Sequence, residues 1–135
     1  MNKDQQKDLI KQAKTLSSNV KLTDDAILGY CGAAILSDNG KIYTGKSLSG
    51  QVGVAFCGEV GAVMEMTKDG QSKAVAMVAM SNDDKFMPPC GRCREMFIQI
   101  NRDNMDMQII TSEDSMVKLR DIFLEPWNIL WDEES

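Results

Sequence analysis

No histidine occurs anywhere in the 135 residues. That absence removes Ser–His and Cys–His nucleophilic pairs, removes imidazole as a metal ligand, and leaves proton transfer to a carboxylate. Cations are scarce as well: 15 Lys and Arg stand against 20 Asp and Glu, for a net charge of −5. A protein that grips a polynucleotide needs clustered Lys and Arg against the phosphates, and here they are scattered. Nucleic acid is therefore not the expected partner, and a small neutral or cationic ligand is. Long apolar runs are missing too. The opening, Met1-Asn2-Lys3-Asp4-Gln5-Gln6-Lys7-Asp8, is too polar for the core of a secretory signal. No later segment approaches membrane-spanning length. The expected location is the cytoplasm, with no membrane contact.

What is present is ordinary for a globular protein, 43% apolar and 26% charged residues, and the length suits one domain over residues 1–135. Four cysteines would make two disulfides in a secreted chain; in the cytoplasm metal binding or buried thiols are the alternatives.

Apolar Leu9, Ile10, Ala13 and Leu16 recur at helical spacing, which predicts an amphipathic helix over residues 4–17. Gly32–Leu36 and Lys41–Leu48 read as two strands joined by a tight turn at Asp38-Asn39-Gly40. A loop over residues 49–53 follows. A helix is expected from Cys57 to Gly70, a buried strand over Ala74–Met80, and a helix from Cys90 to Ile100 opened by Pro88 and Pro89. Met107–Thr111 reads as a strand, and residues 115–124 are ambiguous between a strand and helical turns. A hairpin followed by alternating helix and strand implies an α/β sandwich with a mixed sheet. The ten methionines and Cys31 read as core filler, and Asp132-Glu133-Glu134 as a solvated end.

Two fragments carry chemistry: Cys57-Gly58-Glu59, and Pro89-Cys90-Gly91-Arg92-Cys93-Arg94-Glu95. A Cys-x-x-Cys pair at a helix start puts two sulfurs on one side of the first turn, close enough to share a tetrahedral metal. A third cysteine from a neighbouring helix start completes three ligands and leaves a fourth position open, the mark of a catalytic site. Helix N-termini favour the thiolates. Glu59 stands beside such a metal without having to bind it, where a carboxylate can move protons between water and substrate. The alternatives are buried thiols, a structural metal, and a solvated first-turn glutamate.

The paired elements resemble those of the zinc-dependent cytidine deaminase family. Within it the chain resembles the small three-cysteine forms, the blasticidin S deaminases among them. The resemblance runs from the N-terminal helix through the hairpin, Thr44-Gly45 and both metal elements to the segment Leu119–Trp127. It implies a three-layer α/β/α sandwich with a mixed five-stranded sheet. It implies one Zn²⁺ per chain on Cys57, Cys90 and Cys93, with Glu59 as the proton shuttle in hydrolytic loss of a cytosine amine. It also implies a homotetramer, or a homodimer, in which neighbouring subunits complete the site. Relatives often carry an Arg directly after the catalytic Glu; Val60 stands there in this chain, and Arg92, with Arg94 second, is expected to compensate the thiolate charge. Ser47 and Ser49 fall where relatives bind ribose, and Trp127 where an aromatic covers the base. The expected substrate is a cytosine nucleoside or a related small cytosine compound. A blasticidin-S-type substrate and a non-catalytic zinc-stabilised module are the alternatives.

Overall fold

The computed structural model describes residues 1–127; Asp132-Glu133-Glu134 lie outside them. The chain begins with α1 (Lys3–Leu16), set by a reciprocal capping box between Asn2 and Gln5, which satisfies two otherwise orphaned N–H groups. The strands are β1 (Val20–Lys21), β2 (Ile27–Ser37), β3 (Ile42–Ser49), β4 (Ala55–Phe56), β5 (Ala74–Ser81), β6 (Gln108–Ile110) and β7 (Met116–Lys118). The remaining helices are α2 (Gly58–Lys68), α3 (Gly91–Ile100) and the short α4 (Leu119–Ile122). The strands form one sheet in the order β4-β3-β2-β5-β6-β7, with β1 paired to β2. Only the β5–β6 pair is parallel among those described; the others are antiparallel.

Strand periodicity explains the layers. Ala33, Ile35, Met77 and Ala79 point to one face, where they pack with Ala62, Val63 and Met66 of α2 and Phe97 and Ile98 of α3. Their neighbours Ala34, Leu36, Ala76, Val78 and Met80 point to the other, against Leu9, Ile10 and Ala13 of α1. Because side chains alternate across a sheet, an apolar run such as Ala74–Met80 feeds both faces at once. The result is the expected three-layer sandwich. The sheet has seven strands rather than five, because β1 and β4 add two-residue pieces.

The turn at Asp38-Asn39-Gly40 closes as expected: the Ser37 N–H donates to the Lys41 carbonyl at 2.9 Å. Residues 115–124 prove to be both alternatives in succession, β7 and then α4. A 3₁₀ turn over Arg102–Asp106 has no counterpart in the sequence pattern. It carries Asn104, fully buried, whose amide accepts from Ala74 N–H and donates to the Ser72 and Phe97 carbonyls. That one side chain ties the start of β5 to the end of α3.

Gly45 matters most for placing the site. A Cβ built on it would lie 2.3 Å from the Gly58 carbonyl oxygen and 2.6 Å from the Ala62 nitrogen. Its bare backbone lets the first turn of α2 rest directly on β3, which sets the height of Cys57 and Glu59 above the sheet. No helix among the described residues is long and apolar enough to cross a membrane.

Candidate metal centre and its pocket

Cys57 is the N-cap of α2 and Cys90 the N-cap of α3, and neither side chain caps its own helix. Their sulfurs turn to each other instead, 3.8 Å apart. Cys93, one turn into α3 and fully buried, joins them: the three Sγ atoms lie within 4.8 Å of one another. Tetrahedral zinc with Zn–S bonds of about 2.3 Å needs sulfurs about 3.8 Å apart, so the cluster fits the ion with little movement. Three soft thiolate donors also suit zinc.

Backbone and burial tune the thiols in opposite directions. At Cys90 burial works upward, but hydrogen bonds from the Cys93 and Arg92 backbone and from the Cys93 and Cys57 thiols outweigh it, and the pKa falls below its ordinary value. Cys93 is pushed strongly upward by burial and then by the negative charges of Glu59 and the other two sulfurs. A divalent cation would relieve that repulsion.

Glu59 sits in the first turn of α2 with 5% of its surface exposed. Burial raises its pKa, against an opposing hydrogen bond from Cys93. A carboxyl shifted towards neutrality both takes and returns a proton readily. It borders a cavity of about 250 Å³ whose lining also includes Cys57, Cys90, Ser47, Ser49 and Arg92.

The expected site residues divide. Cys57, Cys90, Cys93, Glu59, Ser47, Ser49 and Arg92 come together. The Arg92 guanidinium donates to the Ala55 carbonyl at 3.2 Å and stands 3.9 Å from the Cys57 sulfur. Arg94 does not join them. Its Nη1 donates to the Ile122 carbonyl at 2.6 Å and its guanidinium lies over the Phe123 ring. Two residues along a helix is about 200° of rotation, so Arg92 and Arg94 leave opposite sides of α3. Trp127 is not in the wall of its own chain's pocket either; its backbone N–H donates to Glu95. Cys31, expected in the core, is half-buried and lines the cavity. Burial, then Glu59 and Cys57, push its thiol pKa up. Tyr30 and Met87, also in the wall, carried no signal in the sequence, because nothing local marks an aromatic or Met as exposed.

The chain is similar to known proteins in both sequence and fold. The chain is 33% identical over 70 residues to a probable cytidine deaminase of Dictyostelium discoideum, covering 50% of this chain and 48% of that one. It is 27% identical over 70 residues to a cytidine deaminase of Halalkalibacterium halodurans, covering 51% and 53%. The matched stretch thus spans about half the length of these relatives. In fold it resembles the crystal structure of cytidine deaminase from Mycobacterium tuberculosis, at a TM-score of 0.73 and 22% identity over 90% of this chain and 95% of that one. Residues 3–108 match the family model for the cytidine and deoxycytidylate deaminase zinc-binding region, a span that holds all three clustered cysteines and Glu59. The chain belongs to that family, with zinc as its cofactor.

Proposed function

We propose that this chain, acting as one domain over residues 1–135, hydrolytically removes the exocyclic amine of a cytosine nucleoside, converting cytidine or deoxycytidine to the uridine counterpart. The observation that carries the reading is the buried Glu59 carboxyl beside three clustered sulfurs at the edge of a ligand-sized cavity. Cys57, Cys90 and Cys93 would hold the zinc. When bound, the ion supplies Lewis-acid activation of a water nucleophile. Glu59 would take one proton from the attacking water and deliver it to the ring nitrogen as the water oxygen bonds to the amine-bearing carbon; it would then carry the hydroxyl's remaining proton to the amine, so that the C–N bond breaks and ammonia leaves. Its burial keeps the carboxyl from being levelled by bulk water. Three thiolates and a divalent ion leave one net negative charge, which opposes loss of a proton from water; Arg92 offsets it by drawing charge from the Cys57 sulfur. Ser47 and Ser49 would meet the sugar. Ser47 already accepts the Cys31 N–H at 2.9 Å and keeps its own proton to donate.

The reading includes a cytoplasmic setting, where reduced thiols persist, and a homotetramer or homodimer, checked by light scattering. Its central test is ammonia release from zinc-quantified protein given cytidine, deoxycytidine or blasticidin S. Turnover is expected with a nucleoside, falling about 10²- to 10⁴-fold in Glu59→Gln with zinc retained. Activity on blasticidin S alone would move the substrate to an aminoacyl cytosine nucleoside, which the net negative charge would suit. Equal turnover by wild type and Glu59→Gln would remove Glu59 from the mechanism, and no release by either on any of the three would leave a zinc-stabilised module without catalysis.

A further inference from the structure

The first turn of α3 carries two of the clustered cysteines and has little else to hold it. Its N-cap, Cys90, makes no side-chain bond to the helix, and no acidic residue follows in the first turn. Arg92 and Arg94 stand there instead, with charges that oppose the positive end of the helix dipole. Nothing in that composition keeps the free N–H groups of a helix start from fraying. Yet Cys93, between the two arginines in sequence, is fully buried and in place.

A brace lies behind the turn. After α4 the chain runs through residues 123–127 without helix or strand, so no backbone ladder gives this stretch its course. Both of its ends are gripped by α3. Arg94 donates to the Ile122 carbonyl and lays its guanidinium over the Phe123 ring, 5.3 Å from the centroid. Glu95 accepts the Trp127 N–H at 3.0 Å. Between these points Pro126 is buried, and Ile122 and Phe123 pack on the apolar cluster that contains Cys93, Phe97 and Leu119. Glu95 leaves the helix about 200° round from Cys93. The turn is therefore held between the sulfur cluster on one side and the C-terminal segment on the other.

The grip has a cost. Arg94 Nε and Glu95 Oε2 are buried with no hydrogen-bond partner among the described residues, and an unpaired buried polar atom is unfavourable. Two apolar side chains would fill the same space without that cost. They would not fix Ile122 and Trp127 by directional bonds, as the charged pair does.

We propose that Arg94 and Glu95 are positioning residues. They latch residues 122–127 across the back of α3, and through that brace they hold Cys90 and Cys93 at the spacing the ion needs. Arg94 thus acts on the site through the helix, where Arg92 acts on a sulfur directly. The latch rests on the zinc centre, and its kinetic consequence rests on the deaminase reading above.

Zinc has a filled d shell and is spectroscopically silent, so the test loads the full chain with cobalt(II), whose visible bands report the geometry of a thiolate site. The other readouts are zinc release to a chelator, the thermal midpoint, and kcat and KM for cytidine. Glu95→Leu removes the acceptor and an unpaired buried oxygen together. Arg94→Met removes the donor and its charge. Each is expected to shift the cobalt bands, speed zinc release about tenfold, and lower kcat more than it raises KM. Glu95→Gln keeps an acceptor for the Trp127 N–H and should restore wild-type values; Arg94→Lys, which keeps a donor but not the planar fork, should fall between. Unshifted bands and unchanged release in either Glu95→Leu or Arg94→Met would overturn the latch, whatever the midpoint does, and leave the deaminase reading standing. Failure of Glu95→Gln to restore them would overturn it too, because the bond to Trp127 would not be what acts. A wild type whose cobalt bands respond as expected but which releases no ammonia would overturn the deaminase reading and leave the latch. A wild type that takes up neither metal would overturn both.

Discussion

Arg92 and Arg94 show how two neighbouring residues of one type take unrelated work. Arg92 lines the cavity and touches the Cys57 sulfur; Arg94 holds the segment after α4 through Ile122 and Phe123. In the proposed mechanism charge compensation falls to Arg92 alone of the pair. Groups that touch metal ligands from outside typically contribute 10- to 100-fold in affinity or activity. Arg92→Ala is expected to lower zinc retention against a competing chelator, or turnover, by that order. Wild-type values for both would remove Arg92 from the mechanism. The cluster of Cys57, Cys90 and Cys93 was legible in the sequence because metal ligation demands fixed spacing, and Glu59 was legible because it stands two positions after the first of them. Tyr30 and Cys31 were not legible, since their exposure depends on Ser47 and Asn82, distant in sequence, pinning a bulge between them.

Among elements, the contact between β3 and α2 has the least slack. Gly45→Ala would drive a methyl into backbone on two sides, at Gly58 and Ala62, where no rotamer change helps. Overpacking of this kind costs about 1–3 kcal/mol or more. The displaced element is the one whose first turn holds Cys57 and Glu59. Gly45→Ala should lower both the unfolding midpoint and the bound zinc, whereas Gly61→Ala, whose nearest neighbour would be 3.4 Å away, should change neither much. If the two variants behave alike, the close approach does not set the site. Long elements were readable: α1, α2, β5 and α3 fall within a few residues of the spans expected from periodicity and helix-end signals. The short ones were not. β1 and β4 have two residues each, too few for any period, and exist only because a longer strand offers a partner. The 3₁₀ turn likewise depends on Asn104 finding three backbone groups from other segments.

At the scale of the molecule, the centre joins helices whose ligands lie 33 positions apart in the chain, and it exists only when both helices are packed on the same face of the sheet. An ion that binds only the folded form stabilises it by mass action, by about 4 kcal/mol when present at a thousandfold over its Kd. Chelation is expected to lower the unfolding midpoint and added zinc to restore it. An unchanged midpoint would mean that the folded and unfolded chains hold the ion equally well. Cys93 belongs both to the apolar cluster under α2 and α3 and to the cysteine cluster, and Cys57 packs against the same core, so packing on that face and ion binding are coupled. Cys57 and Cys90 occupy positions where a hydroxyl or carboxylate side chain normally stabilises a helix start by about 1 kcal/mol, and both spend their side chains elsewhere. An ion held between these sulfurs would therefore act as one shared cap for two helix starts, tying their ends together where each leaves its own cap position unused.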